Sequence, residues 1–410
     1  MEFWSQFPSE DELLKQAAAS GFQSSIYNVN AHLHTPYSFS AFYSVDHALQ
    51  MAVKEDVKIC GINDFFTTAG YEEWAKACTS FKVFPLFNIE FIGLSREDQE
   101  NDVRINDPSN PGRIYISGKG LSFPSSLNDE HKRKLVQVQD ASNNHSAKIC
   151  EKLNEYLHSI AADIRLNYDD ILNNNTKGLL RERHLAKILR EQVFKYTIDE
   201  TGRKVLLSRI LGGDVGNLNI ENHSLIEEAI RGKLLKYGGP AYIQENPDTF
   251  LDMEMVKEII IKGGGIPTYP LLADSVNGGF TEFEENKQKL VENLKSKGIY
   301  SVEFIPNRNS TAALEEYATY FVENGFVVTF GSEHNTPALI PVKLITNSGD
   351  DLSDTLKKIN HEGACIVAAH QYLFGRTGKG ILNEYGVLVA DMRDRLIRLG
   401  NALIQNFIKQ

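Results

Sequence analysis

The chain has 410 residues, 42% of them hydrophobic and 24% charged, with a formal net charge of -11. This composition supplies a globular core and more chain than one typical domain needs, and its acidic balance opposes binding along a phosphate backbone. Four scattered cysteines (Cys60, Cys78, Cys150, Cys365) with no CxxC pair argue against a cysteine-zinc cluster and a disulfide framework. The N-terminal stretch lacks a basic segment followed by an apolar core, and no apolar run is long enough to span a bilayer. The expectation is a cytoplasmic enzyme or binding protein, with no membrane partner and no extended nucleic-acid surface.

Residues 9–20 predict a short helix that Gly21 terminates. Residues 26–33 alternate as a strand leading into His32-Leu33-His34 and then Thr35-Pro36. Side chains two apart on a strand share a face, so both imidazoles project together where the strand ends. They read either as ligands for a zinc-like metal or as two solvated histidines. A capped helix over 44–54 leads to a buried strand over 57–64 that ends in Asp64, and a helix over 71–78 leads to a strand over 81–91 that carries Glu90. Three strand–helix repeats imply parallel strands joined by right-handed crossovers. They set His32, His34, Asp64 and Glu90 at successive C-terminal strand ends, the edge where barrels and open α/β folds keep their chemistry.

Residues 95–113 read as a polar loop and 113–117 as a fourth strand. From about 124 to 250 the pattern is helical, with helices over 130–139, 146–160, 168–172, 184–194 and 225–236. Arg181-Glu182-Arg183-His184 opens one of them; it either offers cations to an anionic substrate or is a solvated helix start. The strand–helix rhythm then resumes, with strands over 263–270, 299–304 and 326–331 and helices over 253–262, 287–297 and 312–323. Arg308 follows the sixth strand on the functional edge, and arginine suits phosphate or carboxylate. The last strand runs into Gly331-Ser332-Glu333-His334, where Pro337 and Pro341 oppose a following helix. Glu333 therefore reads as a fourth ligand and His334 as an acid/base group or second ligand. The tail holds a helix near 352–360, an apolar run over 364–369 closed by a structural His370, a flexible loop over 375–380 that could serve as a lid, and a final helix over about 387–408.

His32-Leu33-His34-Thr35, Gly61-Ile62-Asn63-Asp64 and Asn88-Ile89-Glu90 resemble the opening motifs of the PHP (polymerase and histidinol phosphatase) family. Arg183-His184-Leu185-Ala186, Gly239-Pro240-Ala241-Tyr242-Ile243 and Gly264-Gly265-Ile266-Pro267-Thr268-Tyr269-Pro270 resemble its branch of nucleotide phosphatases and exoribonucleases, which carries a helical insertion in the same place. Gly331-Ser332-Glu333 resembles the closing Gly-Ser-Asp motif. The resemblance covers residues 25–340. It implies an α/β fold, a distorted seven-stranded (β/α) barrel from 1–118 and 251–340, with a helical insertion over 119–250 and a C-terminal extension over 341–410. It also implies metal-dependent hydrolysis, usually of phosphate esters. Ser40, Phe65 and Asn335 stand where the family places one set of histidines, Tyr115 and Tyr269 replace two more, and Glu333 replaces an aspartate.

These readings converge on one divalent metal per chain (Zn, Mn or Fe), held by His32, His34, Glu90 and Glu333. Asp64 is expected as general base or water-orienting group, and His334 as the group that protonates the leaving group or binds substrate. Arg308 and His184 would hold the anion, with Tyr115 and Tyr269 as hydrogen-bond donors to a small phosphorylated or acidic substrate. The alternatives are a barrel that lost hydrolysis and binds a ligand, or a metal-assisted lyase or isomerase. The insertion is expected to cover the C-terminal edge and bring His184 over the metal.

Overall fold

A computed structural model describes residues 3–19, 26–276, 279–383 and 392–409. Its strands are β1 (Asn28–Leu33), β2 (Val57–Phe65), β3 (Phe84–Leu94), β4 (Arg113–Lys119), the two-residue β5 (Leu251–Asp252), β6 (Ile266–Leu271), β7 (Ser301–Phe304) and β8 (Val327–Phe330). Helix α1 (Glu10–Ala19) precedes them, and α2 (Val45–Lys54) and α3 (Tyr71–Phe81) join the first three strands. The short α4 (Arg96–Glu100) leads to β4, followed by α5 (Asp129–Ser159), α6 (Tyr168–Asn175), α7 (Glu182–Tyr196), α8 (Glu200–Ile210) and α9 (His223–Ile230). Then come α10 (Met253–Lys262), α11 (Lys287–Ser296), α12 (Thr311–Glu323), α13 (Asp354–Thr377) and α14 (Arg393–Lys409).

Seven strands form a nearly closed barrel in the order β1-β2-β3-β4-β6-β7-β8, with β5 paired to the end of β3. Every residue of β3 and all but Lys58 in β2 are buried, as expected for strands covered on both faces. In α2, Ser44 Oγ accepts the His47 N–H at 3.1 Å, and Val45, Ala48, Leu49 and Ala52 are the buried residues. One strand departs from the parallel rhythm. β4 runs antiparallel to both β3 and β6, because the 95–112 connection holds only the five-residue α4 and folds straight back, Ser95 N–H donating to Gly112 O at 2.8 Å. The barrel closes where Glu333 N–H donates to His32 O at 2.9 Å and His34 N–H to Glu333 O at 2.7 Å. Gly331 is needed there, since a Cβ would lie 2.2 Å from that of His32.

Helix α13 lies across the N-terminal mouth of the barrel. Its Asn360 donates to Val29 O at 3.1 Å, its Gln371 donates to Pro85 O at 2.8 Å, and Gly363 packs directly on Val328 O. The expected helix and apolar run are thus one element, and 375–380 contains its end rather than a lid. Gly378 caps it in the left-handed region at φ 70, and Gly375 packs on Trp4. Of the expected final helix, 387–391 lies outside the described residues.

His370 is a structural histidine, with Nδ1 accepting from Ile381 N–H at 3.0 Å and Nε2 on Gly264 O at 2.6 Å. Burial pushes its pKa down to about 4. The unfolded chain takes up this proton near pH 6.5, so the contribution is complete above that pH and is lost as pH falls towards 4. The expected loss is about 3 kcal/mol. Urea melts of the wild type and His370→Gln at pH 7 and 4.5 check this; identical pH dependence would exclude His370 as a source.

The insertion has its own apolar core, including Leu153, Leu157, Leu185, Leu189 and Ile226. Helix α5 is continuous where two helices were expected. Its start (Leu135, Val138) packs on the barrel core and its end (Leu153, Leu157) on the second core, leaving the polar stretch between them to line a cavity. Helix α8 was not foreseen. No helix among the described residues is long and apolar enough to cross a membrane.

Candidate metal centre

Past a register shift between Asn30 and Leu33, alternation turns His32 and then His34 into the barrel. His32 Nε2 and His34 Nε2 stand 3.2 Å apart, and Glu90 Oε2 lies 2.9 Å from the second and 3.6 Å from the first. All three residues are buried. Each ring is held through its other nitrogen, His34 Nδ1 by Ser38 Oγ at 3.0 Å and His32 Nδ1 by Glu303 Oε2 at 2.9 Å. An Nδ1–H donated to Glu303 leaves His32 Nε2 with its lone pair facing inward, the arrangement in which histidine ligates metals.

The donor set fits a cation. Ligands on a tetrahedral ion with bonds of about 2.1 Å stand about 3.4 Å apart, close to the spacings here. Glu90 Oε2 is buried without an aligned hydrogen-bond donor, although His34 Nε2 is near. Two imidazoles and one carboxylate leave further coordination positions open, as in catalytic rather than structural sites. With protons as the only cations, burial pushes His32 down, but Glu303 and Glu90 outweigh it and raise the pKa to about 9. Burial likewise opposes the Glu90 charge, and the two histidines overcome it, drawing the carboxyl down to about 2.

A buried charge network underlies the centre. Lys119 Nζ lies 2.6 Å from Glu303 Oε2, and Ser117 Oγ donates to Glu303 Oε1 at 2.5 Å. Asn63 Nδ2 donates to the His32 Nε2 lone pair at 2.8 Å, a bond that a metal on this nitrogen would replace, and Lys119 Nζ donates to Asn63 Oδ1 at 3.3 Å. Burial alone would raise Glu303, but Lys119 and His32 hold it well below the usual carboxylate range. Sequence reading did not single out Lys119 or Glu303. The available signal was a lone acid between Val302 and Phe304 on an apolar strand, and a lysine ending a strand whose fellows point inward.

A cavity of about 300 Å³ opens above the centre, and both barrel and insertion line it. Glu90, Tyr115, Arg308 and Glu333 face it from the barrel, and Arg181, Arg183 and Arg231 from the insertion. Glu333 does not join the His32–His34–Glu90 cluster. Its carboxylate is taken by both terminal nitrogens of Arg308 and by Asn335 Nδ2 at 3.0 Å. Its backbone, like that of His334, is left-handed (φ 61 and 56), a strained conformation that fixes where these side chains go.

Asp64, His334, His184 and Tyr269 fall outside the cavity. Asp64 is saturated by Thr35 N–H (2.8 Å), Thr35 Oγ1 (2.5 Å) and Ser38 Oγ (2.6 Å), so its oxygens face the turn after β1; Oδ1 lies 4.0 Å from His34 Nδ1 and hydrogen-bonds to it through Ser38. His334 uses both ring nitrogens, on Ser332 Oγ at 2.7 Å and Ile340 O at 2.9 Å, and stacks on Phe42; burial lowers its pKa to about 4. His184 sits behind Phe39, its Nδ1 accepting Arg181 N–H at 3.0 Å as a helix cap, and burial lowers it to about 3. Tyr269 points out of the barrel, since β6 alternation turns Thr268 and Pro270 inward, and its hydroxyl donates to Glu284 at 2.7 Å. Tyr115 does face the cavity. Phe65 lies 4.8 Å from the His34 ring and carries the Arg181 guanidinium at 4.7 Å. Among the described residues, Arg181 is the cavity arginine with no carboxylate partner; Arg183 pairs with Glu228, Arg231 with Glu182 and Arg308 with Glu333.

No protein-family model matches this chain, and no curated protein matches it by sequence. Among solved structures it is similar to a protein from Bifidobacterium adolescentis provisionally named a metal-dependent phosphoesterase, with 15% identity and a TM-score of 0.50 over 82% of this chain and 96% of that one. It is also similar to an amidohydrolase from Chromobacterium violaceum with bound sulfate and no metal, at 15% identity and a TM-score of 0.48 over 80% of this chain and 93% of that one. The first likeness establishes a shared fold, the distorted barrel whose C-terminal edge carries the triad and its cavity.

Proposed function

We propose that this chain is a PHP-like metal-dependent hydrolase of small phosphate monoesters, with one divalent cation held by His32, His34 and Glu90. The convergence of three buried donor atoms, of which Glu90 belongs to a residue lining an arginine-rich cavity, carries this reading. A cation of the zinc, manganese or iron class would act there as a Lewis acid and make water more acidic. Arg181, supported on Phe65, together with Arg308 and the Tyr115 hydroxyl, binds the phosphoryl oxygens. Asp64 acts on His34 through Ser38, as a positioning residue. In the reaction a water oxygen bonds to phosphorus, the ester P–O bond breaks, and one water proton ends on the departing oxygen. The test is the metal content of the purified protein, followed by phosphate release from a panel of monoesters with Zn, Mn and Fe. No turnover with any metal would overturn the hydrolase reading in favour of a ligand-binding barrel.

In this scheme Glu333 fixes Arg308 and is not a ligand. Glu333→Gln is expected to keep its metal while KM rises about tenfold, the scale of one weakened charged contact. Loss of metal from Glu333→Gln would instead restore the four-ligand set.

A further inference from the structure

The cavity over the triad is the first of three that run together. A second, of about 380 Å³, shares Tyr115, Arg181, Glu182 and Arg231 with it. A third, of about 310 Å³, shares His145, Arg181, Gln244, Glu245 and Phe250 with the second. Arg181 lines all three and therefore stands at the junction, with the triad on one side and the outer chambers on the other. We propose that the outer chambers form a leaving-group site for a neutral, polyhydroxylated, sugar-like group joined to the phosphoryl group. This rests on the hydrolase reading above.

Charge argues for neutrality. The cations of the second chamber are already matched: Arg113 by Asp107 at 3.2 Å and Glu245 at 2.6 Å, Arg231 by Glu182 at 3.2 Å, and Lys236 by Glu182 at 2.8 Å. In the second chamber a further anion would meet Glu182 and Glu245 and no unpaired cation beyond Arg181, which the first anion uses; the third chamber adds Lys148, which is exposed to solvent. Hydrogen bonding argues for hydroxyls. The side chains of His145 and Gln244 have no hydrogen-bond partner among the described residues, so a group that covers them must supply bonds or leave them unsatisfied. Burial lowers the pKa of His145, leaving a neutral ring that can both donate and accept. Tyr242 and Phe250 add aromatic walls for the C–H faces of a sugar ring. Together the cavities reach the size of sites that enclose whole small ligands.

The experiment compares kcat/KM for methyl phosphate, phenyl phosphate and glucose 6-phosphate. Glucose 6-phosphate should be favoured over methyl phosphate by about tenfold or more, as one or two good hydrogen bonds allow. Gln244→Trp, which fills the chamber, should erase that preference, and Gln244→Leu, which keeps the volume but removes the amide, should reduce it. Equal preference in wild type and both variants, or phenyl phosphate preferred over glucose 6-phosphate, overturns the chamber while the hydrolase reading stands. If no ester is cleaved, the hydrolase reading fails separately. Saturation-transfer NMR of free glucose on the metal-free protein still decides the chamber: transfer in wild type that disappears in Gln244→Trp supports it, and its absence in wild type overturns it.

Discussion

His34→Ala and Glu90→Ala are each expected to lose the bound metal on dialysis, and hydrolysis with it. The reason is geometric. Among the described residues three donor atoms within 3.6 Å of one another form the cluster, so removing one leaves two ligands. Loss of a partner behind a ligand typically costs about 10–100-fold in metal affinity, and loss of a ligand itself should cost more. Elemental analysis after dialysis against a weak chelator measures the effect. A full equivalent of metal in either variant would place the cation elsewhere, and two or more equivalents in the wild type would contradict a single site. Tyr269→Ala is the control, because its hydroxyl serves Glu284 outside the barrel.

The second large effect is on stability. Lys119→Met should destabilise the fold by about 3–5 kcal/mol, the usual cost of leaving one member of a buried ion pair without its partner. Lys119 and Glu303 are 1% and 0% exposed at the side chain, and without Lys119 the carboxylate keeps only His32 at ion-pair distance. The double variant Lys119→Met with Glu303→Gln removes the stranded charge and should regain most of the stability in urea melts. Its metal affinity should stay about 10–100-fold low, because the carboxylate behind His32 is gone. Recovery of both properties would mean that Glu303 serves only as a partner for Lys119. Recovery of neither would mean that the packing of the barrel interior, rather than charge, sets the role of this pair.

His32, His34 and Glu90 were legible because strand periodicity is local. Two residues apart on a strand means one face, and the end of a strand in an α/β repeat means the functional edge. Tyr269 obeys the same rule in reverse: Thr268 and Pro270 take the inner face of β6, so Tyr269 cannot. Asp64 and His334 were placed at the correct edge, but their nearest partners lie in loops. Thr35 and Ser38 capture Asp64, and Ser332 and Ile340 capture His334, through turns that no periodicity describes.

By itself the sequence determined the strand–helix rhythm, the seven barrel strands, the helical character of 119–250 and the convergence of two histidines and a glutamate. Each of these follows from short-range pattern and composition. Tertiary structure alone decided the pairing of Glu333 with Arg308, the Lys119–Glu303–His32 network and the position of Arg181 on Phe65 at the junction of three cavities. Each joins residues that are distant along the chain, Arg181 lying over Phe65 and Glu303 under His32. Their partners are chosen by how the barrel closes and how the insertion folds back over it, and no local propensity records that choice.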